Sequence, residues 1–383
     1  MKRRIFSEEH EIFRTSFRKF WQNEAVPRYE EWEEAGVATR DIWLKAGENG
    51  FLCPFLPEEY GGYGADFLYS VVILEESAKA FDRGCGLGIG LHNDVVAPYL
   101  LSFGNEEQKK RWLPKCTTGE TILAVAMTEP DAGSDLAAIR TTAIRDGDNY
   151  IVNGSKTFIT NGLLSDLVVV AVKTDPNSDP PHRGVSLLVV ERGMKGFERG
   201  NKIPKIGIPA QDTAELFFND CVVPMENLLG EEGAGFIYLM QKLQQERLVV
   251  AIGNQAAAEA ILDLCIEWCW DRKAFGKPLA AFQHTRFKLA EMATEIEIGR
   301  AFVDRLIEEH MKGENIVTET SMGKYWVPEM LKRVVDDGVQ LHGGYGYSTE
   351  YQIAKSYMDA RVNTIYAGTS EIMLEIISRT LKP

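Results

Sequence analysis

One glutamate stands where an apolar residue is expected. With residues 239–268 set on a helix at roughly 100° per residue, Leu239, Leu243, Val250, Ala257, Ile261, Leu264 and Trp268 share one narrow stripe, and Glu246 falls inside it. Such a stripe faces a core, and an unpaired carboxylate there is costly; it must be ion-paired, protonated or turned towards an internal cavity. Two readings follow. Glu246 is half of a structural ion pair, with Arg247 or an arginine from another helix, or it is a general base in an apolar pocket. Periodicity alone leaves both open. The six cysteines (Cys53, Cys85, Cys116, Cys221, Cys265 and Cys269) form no CxxC and no grouping with histidine, which suits reduced core thiols in a large intracellular protein. Cys265 and Cys269 lie four apart on one helix but lack partners, so no metal is expected. GCGLGIG at 84–90 lacks the GxGxxG spacing and follows no β run, which argues against a nicotinamide-binding Rossmann domain.

Hydrophobic spacing identifies the elements that carry these residues. From Ser7 to about Cys116 it is helical, with Ile12, Phe13, Ser16, Phe17 and Phe20 on one stripe and residues 71–80 on another. Pro54, Pro57, Gly61, Gly62 and Gly64 interrupt the helices with loop. Around Ile122 the period becomes strand-like in TILAVAM, YIVNG, KTFIT, LVVVAV, GVSLLVV and AELFFND, separated by turn-forming clusters. That pattern predicts a small β barrel or sandwich. Helical periodicity returns after Gly233-Ala234-Gly235 in 236–271, 281–312, 318–342 and 369–381, lengths suited to a helix bundle. The expectation is an α+β multidomain chain: an N-terminal helical domain (1–121), a central β domain (122–232) and a C-terminal four-helix bundle (233–383).

The 383 residues exceed what one core usually supports, and 45% hydrophobic with 26% charged residues is an ordinary globular composition. A net charge of -14 argues against general binding to nucleic acid or anionic membrane, so anionic ligands must be met by local basic groups. MKRRIFSEEHEIF has no apolar segment after its basic residues, and Ser7-Glu8-Glu9 reads as the first turn of a helix. No run of about 18 apolar residues stands out as a membrane span. The expected location is cytoplasmic, or the mitochondrial matrix for a processed chain.

MTEPDAGSD (127–135), KTFITNG (156–162), DRKAFGKPLAAFQ (271–283), QLHGGYGY (340–347) and IYAGTSEIM (365–373) resemble, in order and spacing, the signatures of the acyl-CoA dehydrogenase family. The resemblance implies FAD as cofactor, with residues 125–134 lying along it, Val125, Met127, Thr128, Gly133 and Ser134 among them. Thr128 would sit near the pyrimidine edge and Ser134 at the border with the CoA chain. It places Thr160 by flavin N5 and Phe158, with Ile159 beside it, next to the isoalloxazine; many members carry Trp where Phe158 stands. Arg272 resembles the arginine that reaches the FAD pyrophosphate across a subunit boundary. Phe275, Phe282 and Gln283 belong to that patch, and Gln340, Gly343 and Gly344 to another. Thr369, Ser370 and Glu371 open a helix whose free amides can face phosphate. Shared cofactor sites imply a homo-oligomer, in this family usually a tetramer built as a dimer of dimers.

One position departs from the family pattern. Most members carry the catalytic glutamate just before the Gly-Thr of the last motif, where this chain has Ala367. A minority, the long-chain and isovaleryl-CoA enzymes, carry it on the long bundle helix before Arg-Leu, and Glu246-Arg247-Leu248 matches that arrangement. The resemblance therefore makes Glu246 the base, and the backbone N–H of Ala367, with a ribityl hydroxyl of FAD, the donors to the thioester oxygen. It places Gln244, Arg247 and Gly368 with Ser134 in the substrate site, a structural ion pair being an equal alternative for Arg247. It also sets Gly86 and Gly90 at the far end of the acyl pocket, favouring long or branched chains. The implied activity is dehydrogenation of an acyl-CoA to trans-2-enoyl-CoA, with an electron-transferring flavoprotein as acceptor. Alternatives are a branched-chain (isovaleryl- or citronellyl-type) dehydrogenase, an acyl-CoA oxidase, and a non-catalytic homologue that binds acyl-CoA or FAD.

Overall fold

A computed structural model describes residues 3–82 and 84–381. The first third folds as α1 (Glu8–Glu24), α2 (Tyr29–Ala35), α3 (Asp41–Glu48), α4 (Phe67–Lys79), α5 (Cys85–Gly90), α6 (Ala97–Phe103) and α7 (Glu106–Thr117). Ser7 caps α1 in a reciprocal box with His10, and Asn105 with Gln108 does the same for α7, so orphan amides at both starts are met by side chains. Between α5 and α6 the chain widens into a π-helical turn, Leu91–Val96.

The central third is one connected seven-stranded sheet. Its strands are β1 (Leu123–Ala126), β2 (Thr142–Asp146), β3 (Asn149–Thr160), β4 (Leu167–Lys173), β5 (Val185–Glu191), β6 (Phe197–Lys202) and β7 (Thr213–Pro224). They run in the order β1-β4-β2-β3-β7-β6, with β5 also on β4. YIVNG and KTFIT are thus one long strand, β3, paired with β7 and bulged between Lys156 and Ile159. Hydrophobic spacing misses β2 and β6 because both are mostly polar. β4 is buried along its length because it is covered twice: Leu167, Val169 and Ala171 pack with Tyr99 and Trp112 of the helices, while Val168, Val170 and Val172 pack inside the curled sheet.

The last third comprises α8 (Gly235–Asp271), a short hairpin of β8 (Lys273–Ala274) and β9 (Lys277–Pro278), α9 (Gln283–Met311), α10 (Val317–His342), α11 (Gln352–Ala360) and α12 (Ser370–Thr380). α8 is long and apolar enough to cross a bilayer by composition, yet it lies against α4, α9 and α10 as the centre of the bundle. That position corrects the single-stripe reading. Leu239, Glu246 and Ile261 are buried, but Leu243, Val250, Ala257, Leu264 and Trp268 are only partly so, and Leu248, Ala251, Ile252 and Ala258 are buried off the stripe. A helix with neighbours on several sides has no single core face.

A buried ion network ties the two helical parts together. Glu75 of α4, wholly buried, accepts from Arg3 at 2.8 Å, Arg14 of α1 at 3.1 Å and Arg300 of α9 at 2.8 Å. Arg14 consequently turns inward while Ile12 is exposed. Burial alone would raise the Glu75 carboxyl, but Arg300 and Arg3 hold it at about 2. Glu75→Gln should cost about 3–5 kcal/mol at neutral pH by leaving buried guanidinium groups short of a charge partner. Because the folded pKa lies below the unfolded value, this stabilisation is present above about 4.5 and lost as pH falls towards 2. Urea midpoints of the two proteins should therefore converge across that window; a constant difference would mean that the Glu75 charge is not the source.

Candidate active site

Glu246 is 7% exposed and Tyr99 of α6 is 0% exposed. The Tyr99 hydroxyl donates to Glu246 Oε1 at 2.7 Å. Among the described residues no cation lies within ion-pair distance of Glu246. Its neighbour Arg247 turns away, donating from Nη1 to Ser321 Oγ on α10 at 3.2 Å. The ion-pair reading of Glu246 is thereby overturned: consecutive side chains on α8 face different elements. Burial pushes the Glu246 carboxyl up to about 7, against the opposing pulls of Tyr99, Arg247 and Lys242. A carboxyl so placed can carry either charge state near neutral pH, as a proton acceptor must. Tyr99 was not anticipated from sequence. Its only signal is a hydroxyl among apolar neighbours.

The loop before α12 is held by α10. Lys324, with no exposed surface, donates to the carbonyl oxygens of Gly368 at 2.6 Å and Asn363 at 3.0 Å. Burial, then Arg247, lowers its ammonium to about 8. Tyr366 donates to Asn363 Oδ1 at 2.5 Å, and Asn254 of α8 reaches the same oxygen at 3.3 Å. Ala367 lies in the left-handed region (φ 50) between these anchors. Ser321 and Lys324 are one turn apart on α10, so the element that receives Arg247 also clamps the Ala367-Gly368 peptides. Thr369 caps α12, accepting from Ile372 N at 3.2 Å, and Ser370 donates to Glu329 at 2.9 Å. Glu371 is held low by its own backbone amide and by Thr369.

Residues 125–134 and 156–160 are joined by a buried pair. Lys156 donates to Glu129 Oε1 at 2.8 Å and to Met127 O at 3.0 Å, while Glu129 also accepts from the amides of Arg140 and Thr141. Thr157 N donates to Thr128 O at 2.9 Å. Val125, Met127, Thr128 and Thr160 are half-buried, Ile159 is buried, and Gly133 and Ser134 are exposed. The bulge in β3 swings Phe158 outward at φ 58, leaving it 63% exposed.

At the far end of α8 a cleft of about 460 Å³ is lined by Arg272, Gln340, Gly343 and Gly344 together with Trp268 and Tyr345. Arg272 stands 5.1 Å from the Tyr345 ring and makes no ion pair among the described residues. Phe275, at the tip of the β8–β9 hairpin, is 96% exposed; its ring lies 6.1 Å from that of Phe282, and Gln283 follows as the first residue of α9. Thus Arg272, Gln340, Gly343 and Gly344 converge, with the Phe275–Phe282 pair in the segment that follows Arg272.

Two expectations about the substrate site need correction. A Cβ at Gly86 would lie 2.7 Å from Ser77 Cβ, and one at Gly90 would lie 3.0 Å from a Leu74 methyl. These glycines let α5 approach α4, so side chains of α4 rather than open space stand where their Cβ atoms would point. Gln244 accepts from Ile316 N at 2.9 Å and donates to Glu314 O at 3.0 Å. Its amide is a clasp on the α9–α10 turn rather than a free substrate contact.

Three family models match in succession: "Acyl-CoA dehydrogenase, N-terminal domain" over residues 7–120, "middle domain" over 124–221 and "C-terminal domain" over 233–382. The chain belongs to the acyl-CoA dehydrogenase family. It is similar to the mitochondrial long-chain specific acyl-CoA dehydrogenase of Sus scrofa, at 49% identity over 99% of this chain and 88% of that protein. The crystal structure of an acyl-CoA dehydrogenase from Geobacillus kaustophilus superposes with a TM-score of 0.98 at 61% identity, covering 100% of both chains. That of an acyl-CoA dehydrogenase complexed with FAD from Bacillus anthracis superposes at 0.91 with 33% identity, over 98% of this chain and 67% of that one. Acyl-CoA dehydrogenases are FAD-dependent, and the residues present fit such a group. A guanidinium without a carboxylate partner among the described residues borders the cleft, a Cβ at Gly343 or Gly344 would meet nothing within 4 Å, and Phe158 offers an uncovered aromatic face.

Proposed function

We propose that this acyl-CoA dehydrogenase acts on long-chain saturated acyl-CoA, with Glu246 taking the α-proton and the Ala367 amide steadying the thioester oxygen. The observation that carries the reading is the buried carboxylate of Glu246, bonded by Tyr99 and held near neutrality, in a chain whose Ala367 has no acidic side chain. FAD, when bound, supplies the acceptor for the β-hydrogen, which leaves with its electron pair. An α-proton of a thioester is too weakly acidic for an ordinary carboxylate, so the base needs a raised pKa and the oxygen needs donors that strengthen as negative charge develops. Glu246 meets the first need by burial. For the second, Lys324 holds the carbonyl of Gly368 and thereby the orientation of the preceding peptides.

Arg272 with Gln340, Gly343 and Gly344 would hold the pyrophosphate end of the cofactor, and Thr128, Phe158 and Thr160 its ring. Exposure of Phe275 on its hairpin supports a role in contacting a second copy, and so a homo-oligomer with shared cofactor sites. Likeness to the porcine long-chain enzyme supports the chain-length assignment, and family resemblance supports an electron-transferring flavoprotein as acceptor. The test is anaerobic titration of the FAD-loaded protein with butanoyl-, isovaleryl-, octanoyl-, palmitoyl- and citronellyl-CoA. Palmitoyl-CoA should bleach the flavin fastest. Faster bleaching by isovaleryl- or citronellyl-CoA would move the assignment to branched chains, and no bleaching by any of them would overturn it.

A further inference from the structure

α6 and the π-helical turn before it are fastened along α8 by three polar bonds within about one turn of that helix. Lys242 Nζ donates to Ser102 Oγ at 2.6 Å, Gln245 Nε2 donates to the main-chain carbonyl of Asp94 at 2.7 Å, and Tyr99 Oη donates to Glu246 Oε1 at 2.7 Å. A π-helical turn disturbs the regular carbonyl pattern and inserts a phase change into a helix. Here one of its carbonyls, that of Asp94, is taken by the residue next to Glu246. Tyr99 follows that turn in the first turn of α6, with its hydroxyl on the carboxylate.

We infer that this seam makes Tyr99 a positioning residue for the base: its phenol fixes one carboxylate oxygen and presents the other to the substrate. The inference rests on Glu246 being the base. A hydrogen bond donated to a carboxylate favours the charged form, and a buried bond of this kind is stronger than one between neutral groups. Tyr99 itself remains protonated, since burial and the adjacent Glu246 both raise its hydroxyl. The charged groups that bear on Glu246 besides Tyr99 are Lys242 and Arg247, both on α8. From the neighbouring elements, the π-helical turn brings buried Asp94, whose carbonyl meets Gln245, and α10 brings buried Lys324, which feels Arg247. Substitution at position 99 leaves all four in place.

Tyr99→Phe removes a single oxygen from a packed ring, so a purely structural role would leave the titration of Glu246 where it is. The experiment follows the carboxyl stretch of Glu246 by infrared difference spectroscopy across pH, assigned by its absence in Glu246→Gln, and in parallel the rate of anaerobic flavin reduction by palmitoyl-CoA. In Tyr99→Phe both the infrared midpoint and the acid limb of the rate should move up by about one pH unit, roughly tenfold in base affinity. Should the phenylalanine variant fail to fold, 3-fluorotyrosine at position 99 supplies a more acidic phenol of similar size and should move both downward. An unmoved infrared midpoint in these proteins overturns the inference. A moved midpoint without flavin reduction in the wild type sustains the bond's effect on Glu246 and sinks the assigned reaction instead.

Discussion

Glu246→Gln is expected to yield a folded protein that keeps its FAD yet reduces it with bound acyl-CoA at least roughly 10²–10⁴-fold more slowly, the range attributed to a positioned acid or base. The amide matches the carboxylate in volume and still accepts from Tyr99, so packing at the α6–α8 seam is preserved. Burial already disfavours the charged form of Glu246, so a neutral group imposes no new desolvation cost. What disappears is a group able to take a proton, and Ala367 has no side chain to take over. Single-turnover reduction, followed by flavin absorbance without oxygen, reads this directly. Rates within a few-fold of the wild type would send the search to another carboxylate.

A second large effect is expected at Lys324. Lys324→Met keeps the length and apolar stem but removes the ammonium that holds the Asn363 and Gly368 carbonyls. Ala367 occupies a left-handed conformation that costs a non-glycine residue energy, and it persists because both sides are anchored. With the anchor lost, the Ala367 amide should drift from its position, and a displacement of about 1 Å can cost as much as 10²-fold in rate. kcat should therefore fall by about 10- to 100-fold with FAD content preserved. Unlike the change expected at Tyr99, the fall should be similar at all pH values below about 8, where Lys324 is charged, because Lys324 acts on the loop that carries the Ala367 amide and not on the proposed proton acceptor. An unchanged kcat would show that the bonds from Tyr366 and Asn254 hold the loop without it.

Residue types and periodicity allowed much of this to be anticipated. The α, β, α order, the long α8 and the burial of Glu246 rest on local patterns of helical or alternating spacing and turn clusters, whereas the flavin motifs and the roles given to Glu246 and Ala367 came from resemblance to the family. Polar strands such as β2 and β6 left no such pattern, because their pairing with β3 and β7 is made by backbone and carries little side-chain signal.

Sequence by itself determined that a carboxylate at 246 must enter a helical interior and that position 367 has no side-chain base. Only the tertiary structure decided what each buried group meets. Tyr99 reaches Glu246 across 147 positions of sequence, Arg247 bonds Ser321 instead of its neighbour, α4 fills the space beside Gly86 and Gly90, and Lys324 clamps a loop that no motif assigned to it. The physical reason is that spacing along a helix encodes how much of each face leaves water, whereas the partner across that face depends on how distant segments pack. A buried charge needs a partner of the right chemistry at about 3 Å, and that distance exists only after folding.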